Sequence, residues 1–158
     1  MKSLIIYHSE TGNTADIAEA MVVAIQADLK TADGITAIDL QDRPFVGLGS
    51  GIYTSAHVPK ILRLVPILPP DCRVFIFSTS GTAGWMGASA HRLTHWRLRR
   101  ALRRKKITIL GEWDCPGQVK GGILGWFGLY RGRPSEADLS AAARFALQIA
   151  EKAKEVEP

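Results

Sequence analysis

Short apolar runs ending in small polar residues alternate along this chain with longer stretches of helical period, the pattern of an α/β sheet with parallel strands. Leu4 to Tyr7 is the first run, and from about Asn13 the residues Ile17, Met21, Ala24 and Ile25 repeat on one helical face. A third strand is expected at Phe45 to Gly49, closing in a glycine-rich turn. A fourth, Arg73 to Phe77, ends in Ser78, Thr79, Ser80 and Gly81, and a fifth covers Ile107 to Glu112. The last helix opens at Ser135 with Asp138 three residues on, a capping-box spacing, and buries Leu139, Ala142, Ala143, Ala146, Ile149 and Ala150. Ile35 to Leu40 has a strand-like pattern. Only about four residues separate it from the third strand, however, and parallel neighbours need a crossover of roughly a dozen. The second strand is therefore expected at Asp28 to Ala32, with Gly34 to Pro44 as the connection.

The 158 residues fit one domain spanning 1–158, long enough to bury a core without staples. No run approaches the roughly 18 consecutive apolar residues of a membrane span. Lys2 followed by Ser3 to Tyr7 is too short an apolar stretch for an export signal, so the expectation is a cytoplasmic protein. Cys72 and Cys115 form no metal or redox spacing and read as free thiols. The net charge of +5 is largely local, with Arg97, Arg99, Arg100, Arg103, Arg104, Lys105 and Lys106 close together. Such a field favours acidic partners. Leu98, Ala101 and Leu102 form a core stripe within that run, so it reads as a solvated helix face rather than a nucleic-acid footprint.

Ser9, Glu10, Thr11, Gly12, Asn13 and Thr14 stand between the first strand and its helix. A strand, a hydroxyl-rich turn and a helix N-terminus make an anion site, because unpaired N–H groups and the positive end of the helix dipole point the same way. Hydrogen bonds to a charged group contribute about 1.5–3 kcal/mol each, against at most about 2 kcal/mol from the dipole. The hydroxyls of Ser9, Thr11 and Thr14 therefore matter more than the dipole. The loop lacks the Gly-Lys-Ser/Thr ending of a triphosphate loop and the glycine triplet of a dinucleotide fold. Gly47, Gly49 and Gly51 follow the wrong strand, and Ile52 stands where the third glycine belongs. A lone phosphate monoester fits better.

With these residues in place, the sequence resembles the flavodoxin family, whose FMN phosphate loop reads Ser/Thr-x-Thr-Gly-x-Thr after the first strand. Gly49, Ser50, Gly51, Ile52 and Tyr53, with His57 after them, look like the second flavin loop. Phe77 to Gly81 look like the third. Gly111, Glu112, Cys115, Gly117, Arg131, Gly132, Arg133, Pro134 and Asp138 are similar to the closing segment of a flavodoxin-like subgroup. The resemblance covers about the whole chain. It implies a doubly wound five-stranded parallel sheet of order 2-1-3-4-5, a three-layer sandwich with FMN at the carboxyl ends of the strands. The implied cofactor residues are Ser9 to Thr14, Ser50, Gly51, Ile52, Tyr53, Ser78, Thr79, Ser80, Gly81 and Trp85. Tyr53 matches the position of a flavin-stacking aromatic, and Trp85 is a second candidate. Gly49 and Gly51 are the candidates for a carbonyl that turns toward the flavin.

The leading expectation is an FMN-binding electron carrier between redox partner proteins. The alternative is an FMN-dependent oxidoreductase acting on a small substrate such as a quinone or porphyrinogen, with Trp126 and Tyr130 of the apolar segment Gly121 to Tyr130 walling its pocket. An FMN-free scaffold using the basic helix is a third reading. Members of the family are usually acidic carriers for basic partners, so the basic charge of this chain sets its partners apart.

Overall fold

The protein is seen here in a computed structural model that describes residues 2–53, 55–81, 90–117 and 132–155, without the side chains of residues 90 and 91. Five parallel strands form the sheet in the order β2-β1-β3-β5-β6: β1 (Ser3–His8), β2 (Asp28–Thr31), β3 (Phe45–Tyr53), β5 (Arg73–Ser80) and β6 (Thr108–Pro116). A two-residue strand, β4 (Ala56–His57), folds back antiparallel on the end of β3. This is the doubly wound order that the resemblance implies. The strand expected at Asp28 is present, and the competing Ile35 to Leu40 segment contains the one-turn helix α2 (Ala37–Leu40). The Asp39 carboxylate accepts the Thr36 N–H at 2.8 Å and starts that turn, which a strand pattern alone does not reveal.

Because successive strand residues face opposite sides, the sheet divides its apolar residues between two cores. Leu4, Ile6, Val46, Leu48, Val74 and Ile76 pack under α2, α3 (Pro59–Leu62) and α5 (Trp96–Arg104). Ile5, Phe45, Phe75, Phe77 and Leu110 pack under α1 (Asn13–Ile25) and α6 (Glu136–Glu155). A five-residue helix, α4 (Ala90–Thr94), precedes α5.

Strand β3 runs four residues past the expected end at Gly49. Gly49 is an interior strand position in register with Tyr7 and Phe77, so it stands in no turn. Its lack of a side chain makes room for a ring, since a Cβ there would lie 2.1 Å from Cζ of Phe77. Gly47 gives the same room to Phe75, where a Cβ would lie 2.3 Å from Cζ. In the basic run, Leu98 and Leu102 are buried, while Arg97, Arg100, Arg103 and Arg104 lie on the exposed face. Lys105 ends the run by donating to the carbonyls of Pro66 and Leu68 at 2.5 Å.

Candidate functional site at the carboxyl ends of the strands

The turn between β1 and α1 carries the first group of expected site residues. Gly12 caps α1 with a φ of 93°, a left-handed conformation that suits glycine, and offers no side chain to the helix N-terminus. By contrast, carboxylates of capping boxes close α2 and α6, through Asp39 on Thr36 N–H and Asp138 on Ser135 N–H. The Gly12 N–H donates to Ser9 Oγ at 3.1 Å, which holds the turn closed. Glu10 is exposed, Ser9, Thr11 and Gly12 are half-buried, and Asn13 and Thr14 are buried. Thr14 Oγ1 lies 2.8 Å from Thr79 Oγ1, tying the turn to the end of β5. Asn13 packs where a Cβ on Gly117 would fall, 2.8 Å from its Nδ2, and the Gly117 N–H donates to the Ser80 carbonyl at 3.1 Å. Thus Asn13 and Thr14 brace the loops from beneath, and Ser9, Glu10 and Thr11 form the outward rim. An open helix N-terminus behind a left-handed glycine fits a phosphate monoester.

The second and third groups lie beside it, at the ends of β3 and β5. Gly51 is buried, Ile52 and Tyr53 are half-buried, Thr79 and Ser80 are buried, and Gly81 is half-buried. The Tyr53 ring folds back over Gly51, where a Cβ would lie 2.7 Å from the phenol oxygen. Burial pushes the Tyr53 pKa up, and its hydroxyl is hydrogen-bonded by the Glu10 backbone, which joins the second loop to the first. Trp85, and with it Trp126, Tyr130 and Arg131, lies outside the described residues. Beside Tyr53 opens a cleft of about 260 Å³ lined by Tyr53, Ala56, His57, Val58, Pro59, Leu62 and Arg97.

Ser50 and Ser78, register neighbours on β3 and β5, are both 0% exposed and point away from this rim. Ser50 Oγ lies 2.8 Å from His57 Nδ1, and Ser78 Oγ lies 2.9 Å from His95 Nε2. His95 Nδ1 is 3.0 Å from Glu112 Oε2, and Arg99 donates to both oxygens of Glu112 at 2.6 and 2.7 Å. The two imidazoles are tilted against each other with centroids 4.7 Å apart. Burial alone would raise the Glu112 pKa, but hydrogen bonds from Arg99 and His95 outweigh it and bring the carboxyl down to about 2. Burial holds the His57 pKa well below its ordinary value, with His95 adding to the effect and Glu112 opposing it.

Sequence reasoning missed this network. His95 and Glu112 lie seventeen residues apart on different elements, a separation with no local motif. Cys115 belongs to the core under α1 and α6, is buried, donates to the Pro116 carbonyl at 3.2 Å, and has a thiol pKa that burial pushes up to about 12. Such a thiol is inert rather than redox-active. Among the described residues, no group of His, Cys, Asp and Glu could hold a metal ion, and no helix is long and apolar enough to cross a membrane.

The chain matches no protein-family model. It is 34% identical over 152 residues to uncharacterized protein MJ0298 of Methanocaldococcus jannaschii, covering 94% of this chain and 98% of that protein. A flavodoxin from the domain Archaea superposes with a TM-score of 0.68 at 17% identity, over 98% of this chain and 99% of the other. Oxidised flavodoxin 2 from Bacillus cereus gives 0.68 at 20% identity, over 96% and 99%. At those identities the two structures establish the shared fold.

Proposed function

We propose that this chain, which belongs to the same family as the Methanocaldococcus jannaschii protein MJ0298 and has the flavodoxin-like fold, binds one FMN and carries electrons between protein partners. The observation that carries this reading is the open N-terminus of α1 behind left-handed Gly12, set where the strand order reverses between β1 and β3. When bound, FMN supplies the one- and two-electron chemistry. The Ser9, Glu10, Thr11, Gly12, Asn13 and Thr14 segment holds its phosphate, with donors from Ser9, Thr11 and the backbone. The backbones of Ser50, Gly51 and Ile52 and of Ser78, Thr79, Ser80 and Gly81 border the ring. Tyr53 supplies an aromatic wall, and Trp85 is the second aromatic of the proposal.

Thr11→Val removes a rim donor while leaving the buried braces Asn13 and Thr14 intact. FMN affinity is expected to fall about tenfold to a hundredfold, the loss of one hydrogen bond to a charged group. Riboflavin, which lacks the phosphate, should bind the variant and the parent alike. Equal losses for both ligands, measured by fluorescence quenching, mean that the turn does not hold the phosphate.

The exposed face of α5, with Arg97, Arg100, Arg103, Arg104 and a 48% exposed Trp96, suits an acidic redox partner. Arg97→Glu combined with Arg100→Glu should slow reduction by an acidic electron-donor protein about tenfold at low ionic strength. The difference should vanish near 1 M salt, where charges a few ångströms apart are screened. A rate difference that survives high salt rules out electrostatic steering. The cleft beside Tyr53 and Leu62 favours a second reading, an FMN-dependent oxidoreductase acting on a small substrate such as a quinone. Steady turnover of a quinone with a nicotinamide donor would support it over the carrier.

A further inference from the structure

Beneath the rim, two histidines and their serine partners lie almost entirely buried. His95 is 0% exposed and His57 is 4% exposed, each tied to a serine at the end of a central strand. Ser78, His95 and Glu112 follow the hydrogen-bond order of a hydrolytic triad, but Ser78 is fully buried and its hydroxyl is not presented to an acyl group. A nucleophile is therefore the wrong role for it. What the arrangement does offer is a place for a proton.

Ser50 Oγ donates its one hydrogen to the Gly51 carbonyl, 2.9 Å away, and the same oxygen faces the Val58 N–H and His57 Nδ1. His57 Nε2 is buried and has no hydrogen-bond partner among the described residues. A neutral imidazole leaves one nitrogen as a bare acceptor whenever the other carries the hydrogen. The charged and titratable groups around the ring come from several elements. Tyr53 belongs to β3, Arg92 to α4, Arg97 and Arg99 to α5, and Glu112 to β6, while His95 stands at the head of α5. Arg99 and Glu112 cancel one another through two short hydrogen bonds. That pair leaves no net negative charge for a second cation, so an added imidazolium is costly until negative charge arrives close by. The nearest place for such charge is the proposed cofactor site above Ser50 and Ser78.

We propose that the His57–His95 pair is a buried proton-acceptor site that binds a proton more tightly when the cofactor at the carboxyl ends of β3 and β5 is reduced than when it is oxidised. The inference rests on the FMN reading and deepens it. In this step an external one-electron donor supplies the electrons to the cofactor. Solvent supplies the proton: one O–H bond of hydronium breaks and one N–H bond forms on an imidazole nitrogen. A unit charge within about 10 Å, at an effective dielectric near 20, raises the titration midpoint of the pair by about one pH unit. The pair thereby offsets part of the charge of reduction.

The test uses the FMN-loaded full chain with its histidines labelled in the ring nitrogens, titrated by NMR between pH 5 and 9, oxidised and then reduced with dithionite. The expected result is a midpoint for the His57–His95 pair about one pH unit higher in the reduced protein. Coincident titrations in the two states overturn the proposal while leaving FMN binding in place. A chain that binds no FMN overturns the underlying reading and the proposal together. His57→Gln supplies a second measurement, because an amide can keep the contact with Ser50. An indicator dye should record a smaller proton uptake on reduction than in the parent, with the flavin spectrum unchanged. Equal uptake in variant and parent removes His57 from the site.

Discussion

Gly49→Ala is expected to destabilise the protein by about 3 kcal/mol, and Gly49→Val to leave little folded chain at all, although neither removes a hydrophobic side chain. A Cβ at this position falls within 2.1–2.5 Å of three atoms of the Phe77 ring. That ring is fully buried and stacks on Phe75 at 6.1 Å, so it has no open side to retreat into. Overpacking a filled core costs about 1–3 kcal/mol and at times more, a large part of a total stability of about 5–15 kcal/mol. The penalty belongs to the pair. In the Gly49→Ala background, Phe77→Leu should therefore recover part of the loss, whereas alone it should destabilise by vacating volume. Urea unfolding of the four proteins in the cycle measures the coupling. An alanine variant as stable as the parent would show that the glycine is not there for the ring.

This position also shows where sequence reading reached its limit. Gly47 falls inside the expected strand, whereas Gly49 and Gly51 read as a turn because glycine marks turns by default. The setting of Gly47 and Gly49 depends on Phe75 and Phe77, residues on a neighbouring strand that pair with them in register. Rings lying over glycines are a tertiary fact with no local trace. By contrast, the alternation of strands and helices and the place of β2 were legible, since period and crossover length are properties of the chain itself. The Ser9 to Thr14 turn was legible for the same reason, as a strand, a small-residue turn and a helix are consecutive. Ser50 and Ser78 were legible only in part. Their position at the strand ends followed from the pattern, whereas the inward direction of their hydroxyls depends on His57 and His95, which the fold brings from elsewhere. His95 and Glu112 meet only after β6 pairs with β5 and α5 packs beside them.

Glu112 is where that hidden network becomes measurable in bulk. Removing its charge by Glu112→Gln should cost about 3 kcal/mol near neutral pH, because breaking a largely buried ion pair leaves the Arg99 guanidinium without its counter-charge and His95 with a weaker acceptor. The pH dependence carries the sharper signature. The folded protein holds this carboxyl at about 2, against 4.5 for the ordinary group, so the folded state favours the ionised form. The resulting stability is fully present above about pH 4.5 and is lost as the pH falls through about 2. Other carboxylates fade in the same acid range, among them Asp138, whose pKa is lowered by Ser135 and Arg133 against the opposing effect of burial. The informative quantity is therefore the difference between parent and Glu112→Gln at each pH. That difference should shrink steadily from about pH 5 to pH 2, the parent falling toward the variant. A difference constant across the window would mean that Glu112 has the same pKa folded and unfolded. Its bonds to Arg99 and His95 would then contribute shape to the end of β5 but no charge-dependent stability.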